Sequence, residues 1–488
     1  MAQLFYLDYT LDKNCWTRPN MEIKLRFLGA AQNVTGSRHL LEANGSRILI
    51  DCGIYQERHF QHRNWDPFPV PPSSIDAVLI THAHLDHCGW LPRLVQGGFK
   101  GRVYCTAATA EIARIVLLDS AKIQMEDIEH KKKRHQRENR KGKYPLVPLY
   151  TIENVENTMT LFSPVRYEKP VKIADGIEAA FYDAGHILGA SMIKTKIHNN
   201  GQTRSVLFSG DVGRRHKPIL RDPTVFDKAD YVLIESTYGD RLHERPEDTK
   251  QMLKDTINAT KKAGGNIVIP SFSIERAQDI LYYLNELLIE DQIPDMQVFL
   301  DSPMALKVTE VFEKHPELYD REMVELIRQH ESPFDFPGLQ MVETTSQSKT
   351  INRIKGTVLI IAGSGMCTGG RIKHHLVNNI SNPQSSILFA GYQANGTLGR
   401  LIVDGADPVR IMGQFYPVRA RVVRVHGFSG HADRDGLFRW LSNIKQPPKT
   451  IFLVHGETDS TTSFAEYLKQ KTNWNVQIPN YLDQIILH

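Results

Sequence analysis

Thr81-His82-Ala83-His84-Leu85-Asp86-His87 is the stretch whose reading decides this 488-residue chain. It sets three histidines and one aspartate within positions 82 to 87. The segment before it, Ile75-Asp76-Ala77-Val78-Leu79-Ile80, is short, apolar and rich in β-branched residues. That pattern predicts a buried strand ending at Thr81. Metal-ligand side chains on the loop beyond it would be held by a rigid sheet. His82 and His84 are two apart, so an extended backbone points both imidazoles the same way. Asp86 and His87 follow as the chain turns into Cys88-Gly89-Trp90-Leu91-Pro92. Four ligand residues this close can serve two cations, His82 and His84 on one, Asp86 and His87 on the other.

Composition narrows the class. The length exceeds one ordinary core, so two domains are expected. Hydrophobic residues at 41% and charged residues at 23% fit a soluble globular protein. A net charge of +4 says little about partners. The five cysteines (Cys15, Cys52, Cys88, Cys105, Cys367) include no C-x-x-C pair, which argues against a disulfide framework and for a reducing compartment. Residues 1 to 20 lack a basic segment followed by an apolar run, and no apolar run is long enough to span a membrane. The expectation is a cytoplasmic protein with no membrane partner; a homodimer is an assembly open to it.

Along the chain, residues 1–21 read as an irregular extension. Strands are expected at Glu22 to Gly29, Gly36 to Leu41 and Arg47 to Gly53. Asp51 closes the last of these, either as a turn former or as a carboxylate that orients the histidine loop. A helical pattern from Thr109 runs into Lys131 to Lys143, which holds eight Lys or Arg and one Glu. That run is either a solvated loop or an electrostatic arm near a polyanion. His186 follows a strand and lies among small residues in Asp183-Ala184-Gly185-His186-Ile187-Leu188-Gly189. Val206-Leu207-Phe208-Ser209-Gly210-Asp211 repeats the design, and Tyr231-Val232-Leu233-Ile234-Glu235 ends another buried strand in an acid.

From about Arg245 to Pro417 helices and strands alternate, which predicts a second, mostly parallel α/β sheet. Within it, Gly363, Ser364 and Gly365 open a turn between a strand and a helical pattern. Such a turn can offer backbone N–H groups to an anion or be no more than tight. It lacks the Gly-Lys-Ser/Thr of a nucleotide-binding loop. Arg276 could reach a phosphate or pair with a neighbouring acid. The first theme then returns: Val422 to Asp433 holds Phe428-Ser429-Gly430-His431-Ala432-Asp433, with Asp433 as helix N-cap. Lys449 to Glu457 ends a strand at His455.

H-x-H-x-D-H after a strand resembles the metallo-β-lactamase signature, which implies an αββα sandwich with a dinuclear, usually zinc, site along one sheet edge. Glu235, the F-S-G-H-A-D around His431 and the V-H-G-E around His455 resemble the β-CASP nucleases, in which an inserted α/β domain accompanies that sandwich. The Gly-Ser-Gly-Met turn and Gly391 to Gly399 are similar as well. The family includes the nuclease subunit of the eukaryotic cleavage and polyadenylation factor with its archaeal and bacterial homologues. The likeness runs from about residue 22, and no segment is read beyond the closing helix–strand unit. The domain expectation is therefore 1–21 extension, 22–240 metallo-β-lactamase domain, 241–417 β-CASP insert and 418–488 the rest of the first domain.

By the resemblance, His82, His84 and His186 hold one divalent metal, Asp86, His87 and His455 the other, with Asp211 between; zinc is the leading ion. Asp51 becomes an orienting carboxylate. His431 and Glu235 become an acid–histidine pair in which His431 protonates the leaving oxygen. The implied function is hydrolysis of phosphodiester bonds in single-stranded RNA, cut internally by a two-metal-activated hydroxide. Gly363, Ser364, Gly365, Arg276 and Arg371 are placed on the phosphates of a strand in the interdomain cleft. Three rivals stand beside this: an inactive RNA-binding scaffold, a DNA-directed nuclease of the same family, and a small-substrate metallohydrolase.

Overall fold

Two seven-stranded sheets face each other, and a third, six-stranded sheet lies in a separate body. The structure, a computed structural model, describes residues 22–138, 145–199, 201–243, 246–391, 393–394 and 396–488. The expected extension 1–21 and positions 139–143 of the basic run lie outside them. The described part of that run closes one long helix, Ala107–Glu138.

The first sheet runs in the order Gln484–Leu487, Ile23–Phe27, His39–Ala43, Ser46–Ile50, Ala77–Leu79, Arg102–Thr106, Phe162–Val165. The second runs Val476–Gln477, Thr450–Val454, Tyr231–Glu235, Gln202–Phe208, Ser191–Asn199, Ile177–Asp183, Val171–Ala174. Alternate residues meet between them: Leu25, Phe27, Leu41, Ile48 and Leu79 pack with Phe181, Ile193, Phe208, Leu233 and Phe452. Period-two burial along Ile23–Phe27 is the sequence cause of that shared core. Helices Ala107–Glu138 and Thr458–Lys471 close the outer faces, giving the expected αββα sandwich.

In the third sheet the order is Leu339–Met341, Gln297–Asp301, Val358–Ala362, Ile267–Pro270, Ser386–Ala390, Arg421–Val425, with every pair parallel. Helices on both faces explain why its central strands are buried throughout. The sequence reading returns the chain to the first domain at 418. Arg421–Val425 instead pairs in register with Ser386–Ala390, so we propose that the return falls after Val425. Because all strands are parallel, the turns after Pro270, Asp301, Ala362 and Ala390 leave one edge of the sheet. That edge docks on the sandwich through Glu275, whose Oε2 accepts the Leu188 N–H at 3.2 Å.

Candidate metal centre

Asp51 sets the histidine loop. The strand Ser46–Ile50 ends and Asp51 turns at φ 59°, a left-handed conformation that Asp tolerates better than most residues. Its carboxylate accepts the Thr81 N–H at 2.8 Å, the Thr81 hydroxyl at 2.9 Å and His87 Nδ1 at 2.7 Å. A carboxylate only accepts, so His87 keeps a proton on Nδ1. Burial would lower the imidazole, but Asp211 and Asp51 outweigh it and raise it well above its ordinary value, so Nε2 would offer a lone pair once a metal displaces its proton. The chain then runs so close that a Cβ on Gly53 would stand 1.6 Å from the Asp86 carbonyl oxygen. His84 caps the short helix Leu85–Cys88, which carries Asp86 and His87.

The ligand candidates converge as two groups. His82, His84, His186 and Asp211 offer atoms all within 4.8 Å of one another, and so do Asp86, His87 and His455. In the first group His82 Nε2 lies 3.0 Å and His186 Nε2 3.3 Å from His84 Nδ1. Asp211 Oδ2 lies 3.3 Å from His82 Nε2 and 3.4 Å from His186 Nε2. Donors around a tetrahedral ion with arms of about 2.0–2.1 Å stand about 3.3–3.4 Å apart, close to these edges. In the second group His87 Nε2 faces His455 Nε2 at 3.0 Å, and Asp86 Oδ2 lies 3.5 Å from His455 Nε2. Asp211 Oδ1 is 3.4 Å from His87 Nε2 and, although buried, has no hydrogen-bond partner. Facing ring nitrogens and an orphaned carboxylate oxygen between them are a donor set that fits two cations.

Glu235 is fully buried and does two things. It accepts the Val212 N–H at 2.6 Å, next to Asp211, and stands 3.0 Å from His431 Nδ1. Glu235 also lies within 4.8 Å of Asp211 and His455, but both its oxygens are committed in this way. Gly213 bridges His431, and the Ala432 N–H donates to the Val212 carbonyl at 2.7 Å. Asp433 caps the helix Arg434–Leu441 by accepting the Gly436 N–H, as its position predicts. His84, Asp86 and His431 are only partly buried, so the centre opens on their side.

Charge states follow from burial and neighbours. Burial pushes His82 down to about 3 and His84 to about 4, so their lone pairs are free at neutral pH. Burial alone would raise Asp211, but the surrounding His455, His87, His82 and His431 hold it well below the usual carboxylate range. Burial would lower His431; Glu235 and Asp211 outweigh it and lift the imidazole to about 9. His431 is therefore held in its charged form at neutral pH.

The insert residues fare differently. Arg371, expected on RNA phosphate, gives Nη1 to Asp301 at 2.6 Å and to the Val342 carbonyl at 3.0 Å, and Nη2 to the Glu343 carbonyl at 2.7 Å. Asp301 is fully buried and also holds His375 at 2.6 Å, so Arg371 neutralises a core acid and the phosphate assignment is withdrawn. Arg276 spends Nη1 on the Ala390 carbonyl, which ties it to a neighbouring strand end. Gly363, Ser364 and Gly365 do turn at the docked sheet edge, with the Gly365 carbonyl accepting from Gln393 and the Gly363 carbonyl from the Ile372 N–H. Two features escaped the sequence reading. Phe272 is 42% exposed with its ring against Gly365, where a Cβ would come within 2.7 Å. Lys217, Glu275 and Asp279 form a buried charged cluster at the seam. The readable signal was an aromatic directly after a strand, in Ser271-Phe272-Ser273; the cluster had none, since Lys217 lies on a segment distant from Glu275 and Asp279.

The fold and the clustered donors define a metallo-hydrolase of the metallo-β-lactamase type. Family comparison agrees: residues 40–235 match the metallo-β-lactamase superfamily domain, 277–402 the Beta-Casp domain and 416–479 the Zn-dependent metallo-hydrolase RNA specificity domain. The chain is 38% identical over 440 residues to Ribonuclease TTHA0252 of Thermus thermophilus, covering 90% of this chain and 94% of that one. It is 31% identical over 477 residues to the transcription termination factor FttA of Methanocaldococcus jannaschii, covering 95% of this chain and 71% of the relative. An RNase J-like protein of the same organism is 28% identical over 464 residues, covering 94% and 98%. A crystal structure of a protein of unknown function from Enterococcus faecalis V583 shares the fold at TM-score 0.51 and 12% identity, covering 96% of this chain and all of that one. The chain belongs to the β-CASP metallo-hydrolase ribonuclease family.

Proposed function

We propose that the chain is a zinc-dependent endoribonuclease that hydrolyses phosphodiester bonds of single-stranded RNA in the cytoplasm. The observation that carries this reading is the convergence of the two donor groups on Asp211 beside the His431–Glu235 pair, under the docked edge of the insert. His82, His84, His186 and Asp211 would hold one metal, and Asp86, His87, His455 and Asp211 the other. When bound, the metals would supply Lewis-acid activation of water and polarisation of the phosphoryl oxygen.

This chain's own residues do the rest. Glu235 keeps His431 charged and fixes its proton at Nδ1, so the ring is oriented. The imidazolium can then donate to the departing 3′ oxygen, leaving 5′-phosphate and 3′-hydroxyl ends. The Gly363–Gly365 turn offers backbone amides to a neighbouring phosphate, and the half-exposed Phe272 ring beside it offers a stacking face to an unpaired base. Stacking of this kind needs an unpaired strand, which favours single-stranded substrate over duplex.

Metal analysis paired with cleavage of a circular single-stranded RNA tests the reading. Two metals per chain and a cut circle are expected, since a circle offers no end to an exonuclease. An intact circle with a degraded linear RNA would overturn the internal mode. A metal-free protein that binds RNA without cutting it would point to the scaffold rival, and equal cutting of single-stranded DNA to the DNA-directed one.

A further inference from the structure

Lys217, Glu275 and Asp279 are 8%, 3% and 3% exposed at the seam between sandwich and insert. Lys217 Nζ lies 2.7 Å from Glu275 Oε1 and 3.5 Å from Asp279 Oδ2. The same ammonium donates to the main-chain carbonyl of His186 at 3.1 Å. Glu275 Oε2 accepts the Leu188 N–H at 3.2 Å. The group thus grips the backbone on both sides of Ile187, directly after one ligand of the first metal group. Glu275 does so from φ 65°, a left-handed conformation that costs free energy in any residue bearing a Cβ. Burying three charges is also no economical glue, because apolar contacts of the same shape would join two domains at least as firmly. A strained residue and a buried ion cluster aimed at one loop point to a demand for position.

We propose that Glu275 and Asp279 of the inserted domain are positioning residues that hold the His186 loop, Glu275 directly at Leu188 and both acids by way of Lys217 of the sandwich, so that the first metal is retained only as firmly as the two domains are docked. The proposal rests on the metal reading above and adds a coupling to it. By reciprocity, metal loading must tighten the docking that it depends on.

The test uses the full chain loaded with Co2+, release of each ion into a chelator, and amide hydrogen exchange at Leu188. Glu275→Ala is expected to speed release of one ion about 10- to 100-fold, the usual effect of losing an outer support of a ligand, and to leave the other ion nearly unchanged. Leu188 exchange should rise with it. Glu275→Gln keeps an acceptor for the Leu188 N–H and should restore most of the retention. Equal acceleration of both ions would mean general loosening and would overturn the proposal, as would release at the wild-type rate from both sites. Should Glu275→Ala fail to fold, the unmutated protein decides: Leu188 exchange must slow when Co2+ is added, and an unchanged rate refutes the coupling. A wild-type chain that takes up no Co2+ would defeat the metal reading itself, whereas two bound ions with unaltered release defeat the positioning role alone.

Discussion

Asp51→Asn changes one atom at the root of the histidine loop and should disable the second donor group. Asn keeps the size of the side chain and tolerates the left-handed φ of 59°, so the backbone has no cause to move. The carboxylate uses both oxygens, Oδ1 for the Thr81 N–H at 2.8 Å and Oδ2 for His87 Nδ1 at 2.7 Å. An amide has one acceptor. If its oxygen stays on Thr81, its NH2 meets His87 Nδ1, which must then accept. The His87 proton moves to Nε2, 3.0 Å from His455 Nε2, where a metal needs a lone pair. If the amide turns round, NH2 opposes the Thr81 N–H instead. Either way one charge-assisted hydrogen bond is lost, about 1.5–3 kcal/mol against a typical total of about 5–15 kcal/mol. Affinity for the ion held by Asp86, His87 and His455 should fall about 10- to 100-fold. Metal titration against a buffered free-ion series reads the affinity, and denaturant unfolding of the metal-free chain reads the stability. Wild-type affinity for both ions in a destabilised Asp51→Asn chain would refute the tautomer argument and leave Asp51 as a turn residue.

The remaining predictions concern the proton and the strand. His431→Ala should keep both metals yet cleave about 100- to 10,000-fold more slowly, least so on a substrate with a good leaving group; loss of an ion would make His431 a ligand. In the metal-free chain the His431 imidazole should titrate near 9 by NMR and fall toward its ordinary value in Glu235→Gln. Because the folded value is raised, its stabilisation is complete below the unfolded value of about 6.5 and lost as pH rises through 9. Phe272→Ala should raise KM for a short single-stranded RNA about 5- to 100-fold with kcat little changed, and Phe272→Tyr should restore it. An equal effect on a substrate abasic at every position would sink the stacking role.

The site was legible where chemistry is local. His82 to His87 declared itself because a metal loop needs several ligands in a few residues, and the strand before it has an unmistakable apolar run. His186, Asp211, His431 and His455 could be placed only by their order along the chain, since a histidine at a strand end is as often structural. Arg371 was misjudged for a physical reason: a Gly-rich turn before a helix suggests an anion, but the anion it serves is Asp301, brought from another strand of the parallel sheet. By sequence the strand Arg421–Val425 reads with the first domain because its end merges with the His431 motif, while its pairing with Ser386–Ala390 in the third sheet is set by topology. Lys217 with Glu275 and Asp279 was out of reach altogether, being three ordinary charges until folding buries them together.

The position of the insert explains how so large a segment can interrupt a metal site. Tyr231–Glu235 and Thr450–Val454 pair in parallel, with Glu235 opposite Val454, so the chain leaves and resumes the second sheet on adjacent strands. The ligand candidate His455 lies one residue past that pair, and its N–H is held at 2.8 Å by the Ala30 carbonyl, in the loop after the first-sheet strand Ile23–Phe27. The second donor group is therefore complete only when the C-terminal segment has docked. The first is complete before it, from His82, His84, His186 and Asp211, all N-terminal to the insert. If assembly follows this geometry, a chain truncated before the return would have one donor group of four residues and an exposed edge at Tyr231–Glu235. On the proposed coupling the insert would act on the first group through Glu275, which also pairs with Lys217 of the sandwich, and the resumed strand supplies His455 to the second. Each metal would thus sense a different half of the same interruption, which is why release of one ion without the other is the informative measurement.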